Sequence, residues 1–376
     1  MSPAGGRLDA VCAAVRGRVG SVETLVDEEV RRLAPLATAA ARAELTSAAL
    51  ARLQGLGELE RFLQDYEVTE VLVNAGAEIW VERGGALQPE GRLEGQNVIQ
   101  LVERVLAPLG RRVDSTSPIV DARLPDRSRV CAVVPPLAVD GPCLSIRRFP
   151  PQPRPLGDFA DRTGVELCSE LLEGRYNVVV SGATSSGKTS LVAGLLACLD
   201  PAERTVVIED TAELPVGGGH VVRLEARPPS PDGPAAIGLA ALVRAALRLR
   251  PDRLVVGEVR GDEVLGLVQA LNTGHDGSLS TCHANGPLDA LYRLETLLLQ
   301  AAPAWPLSAT RQQLTRSVDA VVHVARRPDG RRMIETVAEV DLPAPDDPKL
   351  SVTTLAATTG DELVRYAPAS RARTAR

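Results

Sequence analysis

The sequence predicts an α/β protein in which an N-terminal helical extension and a smaller α+β domain precede a parallel-sheet domain. Three observations lead to this fold class. Short apolar runs alternate with helical segments after about residue 161, which is typical of a parallel sheet with crossover helices. Strand-like and helix-like segments are mixed within 57–149. Leu8–Gln54 has apolar residues at helical spacing and many alanines, so it is predicted to be helical.

The composition supports hydrophobic cores and argues against a nucleic-acid-binding protein. The 376 residues are enough for two domains, and 44% of them are hydrophobic while 2% are aromatic. The net charge is −6, so there is no overall electrostatic attraction to nucleic acid. We expect no specific nucleic-acid partner.

The cysteines and the hydropathy pattern bear on the compartment. Six cysteines are scattered without a CxxC pair, which favours reduced thiols in a cytoplasmic protein over disulfides or a zinc site. No apolar stretch reaches the length of a membrane span, and the N-terminus lacks a signal-peptide core. Any membrane association is expected to be peripheral.

Changes in composition divide the chain into five segments. Gly55 and Gly57 interrupt the helical pattern, and four prolines between Pro150 and Pro155 predict a stiff, extended linker. The final segment is rich in Pro, Asp and Thr, so we expect it to be poorly ordered. The predicted segments are the helical extension 1–56, the small α+β domain 57–149, the linker 150–160, the parallel-sheet domain 161–343 and the tail 344–376.

Each of the two domains has its own predicted elements. In the small domain the pattern predicts strands at Val68–Asn74, Glu78–Glu82, Arg129–Val134 and Cys143–Arg148, and helices at Leu59–Gln64 and Asn97–Leu106. In the second domain it predicts strands at Asn177–Val180, Thr205–Ile208, Val221–Leu224, Leu254–Val256 and Ser278–Cys282. The helices predicted there are Ser190–Leu199, Leu239–Leu249, Glu263–Leu271 and Leu288–Leu299.

A phosphate-binding loop joins the first strand and helix of the second domain. The sequence Gly182-Ala183-Thr184-Ser185-Ser186-Gly187-Lys188-Thr189 matches GxxxxGK[ST]. Its glycines let successive backbone N–H groups point at phosphate oxygens, and the following helix adds its N-terminal dipole. Lys188 is one of only two lysines in the chain, and its compact charge can reach the β- and γ-phosphates. Thr189 offers a hydroxyl to Mg²⁺, and Ser190 completes the predicted nucleoside-triphosphate site.

Two acidic residues follow apolar strands in this domain. Ligands of doubly wound sheets collect at the carboxyl ends of the strands. Glu209, after Val206-Val207-Ile208, is therefore placed to orient or deprotonate an attacking water, although capping a turn is the alternative. Glu258 stands where P-loop NTPases place an aspartate for Mg²⁺, and its longer side chain is expected to reach the ion through water.

Two of the four histidines flank one predicted strand. His275 and His283 lie on either side of Ser278–Cys282, so they are expected at opposite ends of it. The hypothesis is that they sense the γ-phosphate and a neighbouring element. No further ligand cluster accompanies Cys282 and His283, which argues against zinc.

These motifs together resemble the secretion ATPases of type II secretion, type IV secretion and type IV pili. The phosphate loop, Ile208-Glu209-Asp210, Gly257-Glu258-Val259-Arg260 and the His275/His283 segment occur in the order seen in that superfamily. Three phrases look most like its tight-adherence (Flp pilus) TadA/CpaF branch: Arg250-Pro251-Asp252-Arg253, Gly257-Glu258-Val259-Arg260-Gly261 and Thr273-Gly274-His275-Asp276-Gly277-Ser278. Upstream, Val120-Asp121-Ala122-Arg123-Leu124-Pro125 also resembles that branch. The resemblance covers roughly Leu59 to Gln300.

The resemblance implies how such a chain works. It implies a RecA-like second domain and a homohexameric ring that hydrolyses ATP with Mg²⁺, in which Lys188 and Thr189 hold phosphate and metal. Glu209 is then the catalytic carboxylate and Glu258 supports the metal. Arginines of the small domain are expected to reach the phosphates, with Arg123, Arg129, Arg147 and Arg148 as candidates. The implied role is a motor at the inner face of the cell membrane that drives Flp-type pilus assembly through a membrane platform protein.

Other functions fit part of this pattern. A conjugation-like type IV or a type II secretion ATPase carries the same motifs. A DNA-handling RecA-like protein is disfavoured by the acidic charge and the few aromatic residues. A nucleotide-binding regulator without hydrolysis is disfavoured by the presence of both Glu209 and Glu258.

Overall fold

The chain forms two compact units, Met1–Pro150 and Pro151–Arg376. The structure, a computed structural model, describes residues 3–74, 77–93, 98–149, 152–216, 219–227, 235–343 and 349–371. The division between the units falls at the start of the proline-rich segment.

The first unit begins with three helices that share a small hydrophobic core. Gly17, with φ 80°, and Pro35 lie between the helices, because neither residue favours a continuous helix there. Ser21 and Thr38 are the N-caps of the second and third helices. The predicted helical segment is thus three helices: α1 (Pro3–Val15), α2 (Val22–Leu33) and α3 (Ala39–Gln54).

An antiparallel sheet forms the rest of the first unit. Its strand order is β3-β2-β1-β6-β5-β4, and α5 packs on it with buried Val98, Leu101 and Val102. The hairpin reversal expected at Arg83-Gly84-Gly85 leads into β3, which the sequence did not delimit because its residues are mostly exposed and lack an apolar face. Strand β4 was not expected. The elements are α4 (Glu60–Leu63), β1 (Val68–Asn74), β2 (Glu78–Arg83), β3 (Ala86–Arg92), α5 (Val98–Leu106), β4 (Ile119–Arg123), β5 (Arg129–Val133) and β6 (Cys143–Arg147).

The second unit is built on one large mixed sheet. Its helices are α6 (Arg162–Glu173), α7 (Lys188–Leu196), α8 (Leu239–Ala246), α9 (Glu263–Leu271), α10 (Pro287–Ala301) and α11 (Leu307–Ser317). Its strands are β7 (Val178–Gly182), β8 (Thr205–Glu209), β9 (Val221–Glu225), β10 (Arg253–Val256), β11 (Leu279–His283), β12 (Ala320–Arg326), β13 (Arg332–Val340), β14 (Val352–Thr359) and β15 (Glu362–Arg365).

The order of these strands positions the functional loops. The sheet runs β15-β14-β13-β12-β7-β11-β10-β8-β9 among the described residues. Strands β12, β7, β11, β10, β8 and β9 are parallel, and β13 to β15 extend the sheet antiparallel. Alternate residues of the central strands enter two separate cores, one with α6 and α7 and one with α8 to α11. Both faces are therefore covered, and the carboxyl ends of the parallel strands meet at one edge.

Two of the expected segment boundaries are wrong. The predicted linker 150–160 ends early, because Leu156 and Phe159 are buried in the core of the second unit and Leu156–Asp158 is a 3₁₀ turn. The predicted tail 344–376 contains β14 and β15, so the sheet domain extends beyond residue 343. Positions 150–151, 344–348 and 372–376 lie outside the described residues.

Candidate functional site

The phosphate loop lies at the carboxyl end of β7, as its sequence predicts. Ser185 has φ 59° and Gly187 has φ 104°, so the loop alternates into left-handed backbone, the conformation that turns N–H groups toward a common centre. Gly187 precedes α7, and a side chain there would also meet Arg332 and Phe159. The loop therefore has the backbone form of a phosphate cradle.

Lys188 is folded back onto its own loop. Its Nζ donates to the carbonyl oxygens of Gly182, at 3.0 Å, and Ala183, at 2.8 Å. The residue is 7% exposed, and burial lowers the pKa of its ammonium group. The single cation of the loop is thus held in place at the centre of the cradle.

A short chain of contacts connects Lys188 to an acid on another strand. Lys188 Nζ lies 3.3 Å from Nδ1 of His283, and Nε2 of His283 lies 3.1 Å from Oε1 of Glu258. An ammonium group only donates, so Nδ1 accepts and the imidazole proton resides on Nε2, which donates to the carboxylate. Burial, followed by the charge of Lys188, lowers the pKa of His283. The imidazole is therefore neutral at pH 7.

The turn that carries Glu258 is fixed from both sides. Gly257 N donates to Ile208 O of β8, and Thr281 Oγ1 of β11 donates to Gly257 O at 2.6 Å. Beyond the turn, Glu263 accepts hydrogen bonds from the backbone N–H groups of Arg260 and Gly261. These bonds hold the Glu258 backbone at the same edge as the phosphate loop.

Glu209 ends β8 as predicted, but its carboxylate serves its own backbone. Oε1 accepts from the N–H groups of Glu213, at 2.9 Å, and Leu214, at 2.8 Å, while Oε2 lies 3.5 Å from Arg223. The side chain is buried, and burial raises its pKa. The structure thus shows the capping role that the sequence left as the alternative.

The neighbouring acid of the same segment is also paired. Asp210 forms an ion pair with Arg260, which follows Glu258 in the chain. This pair connects the loops after β8 and β10.

His275 does not join this constellation. Its Nδ1 contacts Ala270 O at 3.1 Å, in the connection before β11. Residue 283 pairs with Gly182 at the carboxyl end of β11, whereas 275 precedes the amino end. At about 3.3 Å per strand residue, the length of β11 from Leu279 to His283 alone separates the two histidines by about 13 Å. The two histidines therefore lie at opposite ends of β11, as the sequence predicted, and a catalytic role for His275 stays a prediction.

Three of the four candidate arginines of the first unit form one row. Arg123 pairs with Arg129 across β4 and β5, and Arg129 pairs with Arg147 across β5 and β6, so their side chains share one face of the sheet. Arg129 also lies 3.5 Å from Asp121. Arg148 is separate, because its guanidinium donates to the carbonyl oxygens of Asp65 and Val68. Both contacts are made by Nη1, so they fix that end of the Arg148 side chain at the start of β1.

Sequence reasoning missed a buried polar pair next to the phosphate loop. Ser181 Oγ lies 2.9 Å from Nδ1 of His323, and both residues are buried. The only sequence signal was a histidine within the apolar run Ala320–Val324. That run was not predicted to be a strand.

The site residues fit a magnesium-bound triphosphate. The oxygen donors Thr189 and Glu258 are of the kind that Mg²⁺ prefers. Ser186 Oγ is buried and makes no hydrogen bond, and a side chain at Gly182 would collide with that oxygen and with Val324 O. Gly182 thus leaves no room for a side chain, so the backbone of the loop packs directly against Ser186 and β12. No group of three or more His, Cys, Asp or Glu side chains within the described ranges could hold a metal ion by itself.

This fold and site place the chain in a known family. The model of the family "Type II/IV secretion system protein" matches residues 52–346. The chain belongs to this family.

Curated relatives cover most of the chain. A Mycobacterium tuberculosis protein with a provisional conjugal-transfer name is 38% identical over 299 residues, which cover 76% of this chain and 84% of that protein. The type IV secretion system protein PtlH of Bordetella pertussis is 32% identical over 77% of this chain and 96% of its own length.

A solved structure has the same fold. The Legionella pneumophila ATPase DotB matches with a TM-score of 0.55 and 21% identity, covering 73% of this chain and 78% of that chain. The RecA-like α/β fold with a smaller N-terminal domain is therefore confirmed. None of the helices in the described part of the chain has the length and apolar character needed to cross a bilayer.

Proposed function

We propose that the protein is an ATP-hydrolysing motor of a type IV secretion-type machine. The observation that carries the proposal is the chain of contacts Lys188–His283–Glu258 at the end of the phosphate loop. Family membership supports the ATPase class.

The residues of the site have separate roles in this proposal. Backbone N–H groups of the loop and the N-terminus of α7 bind the phosphates. Lys188 leaves the carbonyls of Gly182 and Ala183 for phosphate oxygens. Since His283 contacts the lysine, this movement is transmitted to Glu258. Mg²⁺, held by Thr189 and Glu258, supplies charge neutralisation at the phosphates.

The different contacts of Glu258 and Glu209 support different roles for the two acids. Glu258 has its carboxylate at the phosphate edge, in contact with His283. Glu209 acts as catalytic carboxylate only if ATP binding releases it from the N–H groups of Glu213 and Leu214. We therefore propose Glu258 as the residue that acts at the metal, with Glu209 in a second, ligand-dependent role.

The arginine row of the first unit supports assembly around a nucleotide. Like charges directly opposite one another are destabilising in a sheet. Glu70 stands opposite Arg147 and Asp121 lies near Arg129, but the Arg123–Arg129 and Arg129–Arg147 pairs would be relieved further by an anionic ligand. We propose that this ligand is the nucleotide's phosphates in a homohexameric ring, with one or more of these arginines acting like an arginine finger. The ring would lie in the cytoplasm against an inner-membrane platform protein.

The relatives favour one secretion branch over another. Their names refer to conjugal transfer and type IV secretion. A conjugation-like type IV secretion ATPase is therefore favoured over an ATPase of Flp pilus assembly. The TadA/CpaF-like phrases, such as Arg250-Pro251-Asp252-Arg253, keep pilus assembly as the second candidate.

Phosphate release from MgATP tests the proposed activity, together with mass measurement with and without nucleotide. We expect turnover and a ring. In Glu258→Gln, turnover should fall by about 10²–10⁴-fold while ATP still binds. Glu225→Gln, which changes a carboxylate at the end of edge strand β9, is the matched control and should retain turnover. A wild-type chain that binds ATP but releases no phosphate, alone or with membranes, would contradict a motor.

A further inference from the structure

His323 lies directly behind the phosphate loop. It is on β12, paired in parallel register with Ser181 of β7, which immediately precedes Gly182. The Nδ1 atom of His323 and the Oγ atom of Ser181 are 2.9 Å apart. Ser181 is fully buried and His323 is 6% exposed, so this polar contact lies inside the protein.

A β-bulge stands at the same position. The pairing of β12 with β13 slips between His323 and Val324, because His323 pairs with Thr336 and Val324 pairs with Ile334. Glu335 is the extra residue of the bulge, and its Oε2 lies 3.6 Å from Nε2 of His323. Bulges next to functional sites often re-aim a side chain. Here the bulge sets the surroundings of one imidazole.

The first turn of the phosphate loop rests on these residues. A side chain at Gly182 would collide with Val324 O, so β12 forms the wall behind the loop. On the loop's other side, the carbonyl oxygen of Gly182 accepts from Lys188 Nζ. The end of β7 thus contacts His323 and Val324 of β12, and it also contacts Lys188 of the loop.

The imidazole is neutral at pH 7 in this setting. Burial is the main cause that lowers the pKa of His323, and the charge of Lys188 on α7 lowers it further. Glu335 on β13 and Asp289 on α10 act in the opposite direction. With the imidazole proton on Nε2, facing Glu335, Nδ1 accepts a hydrogen bond from the Ser181 hydroxyl. An imidazole in an apolar layer costs free energy unless it is hydrogen-bonded, so this bond fixes both partners.

We propose that His323 is a positioning residue for the phosphate loop: its hydrogen bond with Ser181 holds the end of β7, and so sets the affinity of the loop for nucleotide phosphates. The inference rests on the proposed nucleotide site and deepens it. His323 itself touches neither Lys188 nor the loop's phosphate-facing side in any contact that the structure shows. It acts through Ser181 and the position of Gly182.

The geometry distinguishes two conservative substitutions. Asparagine places a polar atom where Nδ1 stands, and glutamine places one where Nε2 stands. His323→Asn should therefore bind a fluorescent ATP analogue with Mg²⁺ within about threefold of the wild-type affinity. His323→Leu and His323→Gln should bind about tenfold more weakly, the loss expected for about 1.4 kcal/mol. At saturating nucleotide, kcat of all three should stay within about twofold, because the chemistry is unchanged.

A double-mutant cycle tests the route through Ser181. Ser181→Ala should weaken binding alone, but should add little in the His323→Leu background, since both changes remove one hydrogen bond. Ser280→Ala removes a buried hydroxyl from neighbouring β11 and is the control. Equal binding by His323→Asn and His323→Leu, or additive losses in the cycle, would overturn the proposal. If the wild-type chain itself binds no nucleotide, the proposed function fails, and this inference fails with it.

Circular dichroism and thermal melting accompany each variant. Because His323→Asn and Ser181→Ala are close in size to the native residues, they keep the test open if His323→Leu does not fold. In that case the proposal is supported if Ser181→Ala binds the ATP analogue weakly while His323→Asn binds it with nearly the wild-type affinity. Full binding by Ser181→Ala contradicts the proposal.

Discussion

Nζ of Lys188 lies 3.3 Å from Nδ1 of His283, although the two residues are 95 positions apart in the chain. The parallel pairing of β7 with β11 sets Gly182 opposite His283 and so produces this contact. The lysine that sequence alone assigns to phosphate binding is therefore coupled to a neutral imidazole and, through it, to Glu258. The loop lysine and the acid that we propose acts at the metal thus share one set of contacts.

The two lysines of the chain provide a matched pair for a first prediction. Lys188→Ala should abolish detectable ATP binding and turnover, because the cradle loses its only cation. Lys349→Ala, at an exposed position before β14, should leave both unchanged. Equilibrium binding of a fluorescent nucleotide and phosphate release measure the outcome, and circular dichroism should show both variants folded. Normal turnover by Lys188→Ala would refute the site.

Glu209 gives a prediction that separates capping from catalysis. Glu209→Ala leaves the N–H groups of Glu213 and Leu214 without their acceptor, so it should lower the free energy of unfolding by about 1–3 kcal/mol. Glu209→Gln retains a carbonyl acceptor and should unfold close to the wild-type denaturant midpoint. Turnover by the glutamine variant then reports catalysis alone: a loss of about 10²-fold or more would assign Glu209 a catalytic role.

Acid pH should destabilise the protein through His323. Burial lowers the pKa of this residue below its ordinary value of 6.5. As pH falls below about 6.5, the unfolded chain takes up the proton first, so the free energy of unfolding falls until the pH reaches the lower folded pKa. Urea unfolding between pH 8 and pH 5 should show a shallower decline in His323→Asn than in the wild type. An unchanged slope in His323→Asn would contradict this account.

The end of the described chain should contribute strongly to stability. The Arg371 guanidinium donates to the carbonyls of Thr315, Val318 and Val340 and lies 3.3 Å from Asp319, whose side chain is 1% exposed. Arg371→Ala should therefore cost about 3 kcal/mol in denaturant unfolding, because a buried carboxylate loses its cation.

Arg365 supplies the control for that experiment. It pairs with Glu170 at the surface, so Arg365→Ala should cost less than about 1 kcal/mol. Equal small losses in both variants would show that the tail contact contributes little.

Local patterns predicted the central strands well. The predicted β1 matches the observed Val68–Asn74, and the strand before the phosphate loop differs only at its ends. Strand β7 is a buried apolar run and β1 alternates buried and half-buried residues. Both patterns are properties of neighbouring residues, so the signal is local. The C-terminal strands were missed. Strand β14, for example, is rich in Thr and Ala and has no clear apolar alternation.

The residues of the candidate site also differ in how far the sequence predicted them. The loop from Gly182 to Thr189 follows from its sequence, because its chemistry depends on residues that are neighbours in the chain. The contacts of Glu209 did not follow, since they depend on which backbone groups its side chain meets. The sequence placed His275 and His283 at opposite ends of a strand, but which of them meets Lys188 depends on which end of β11 faces the loop.

By itself the sequence determined that the chain carries a phosphate loop within an alternating α/β domain, since glycine spacing and apolar periodicity are local properties. Only the tertiary structure decided that His283, and not His275, meets Lys188, that Glu209 caps its own loop, and that Ser181 is bonded to His323. The two histidine contacts depend on strand order and register, which bring together groups 95 and 142 residues apart, whereas the Glu209 cap depends on how the chain turns directly after β8. No local pattern encodes contacts over such separations.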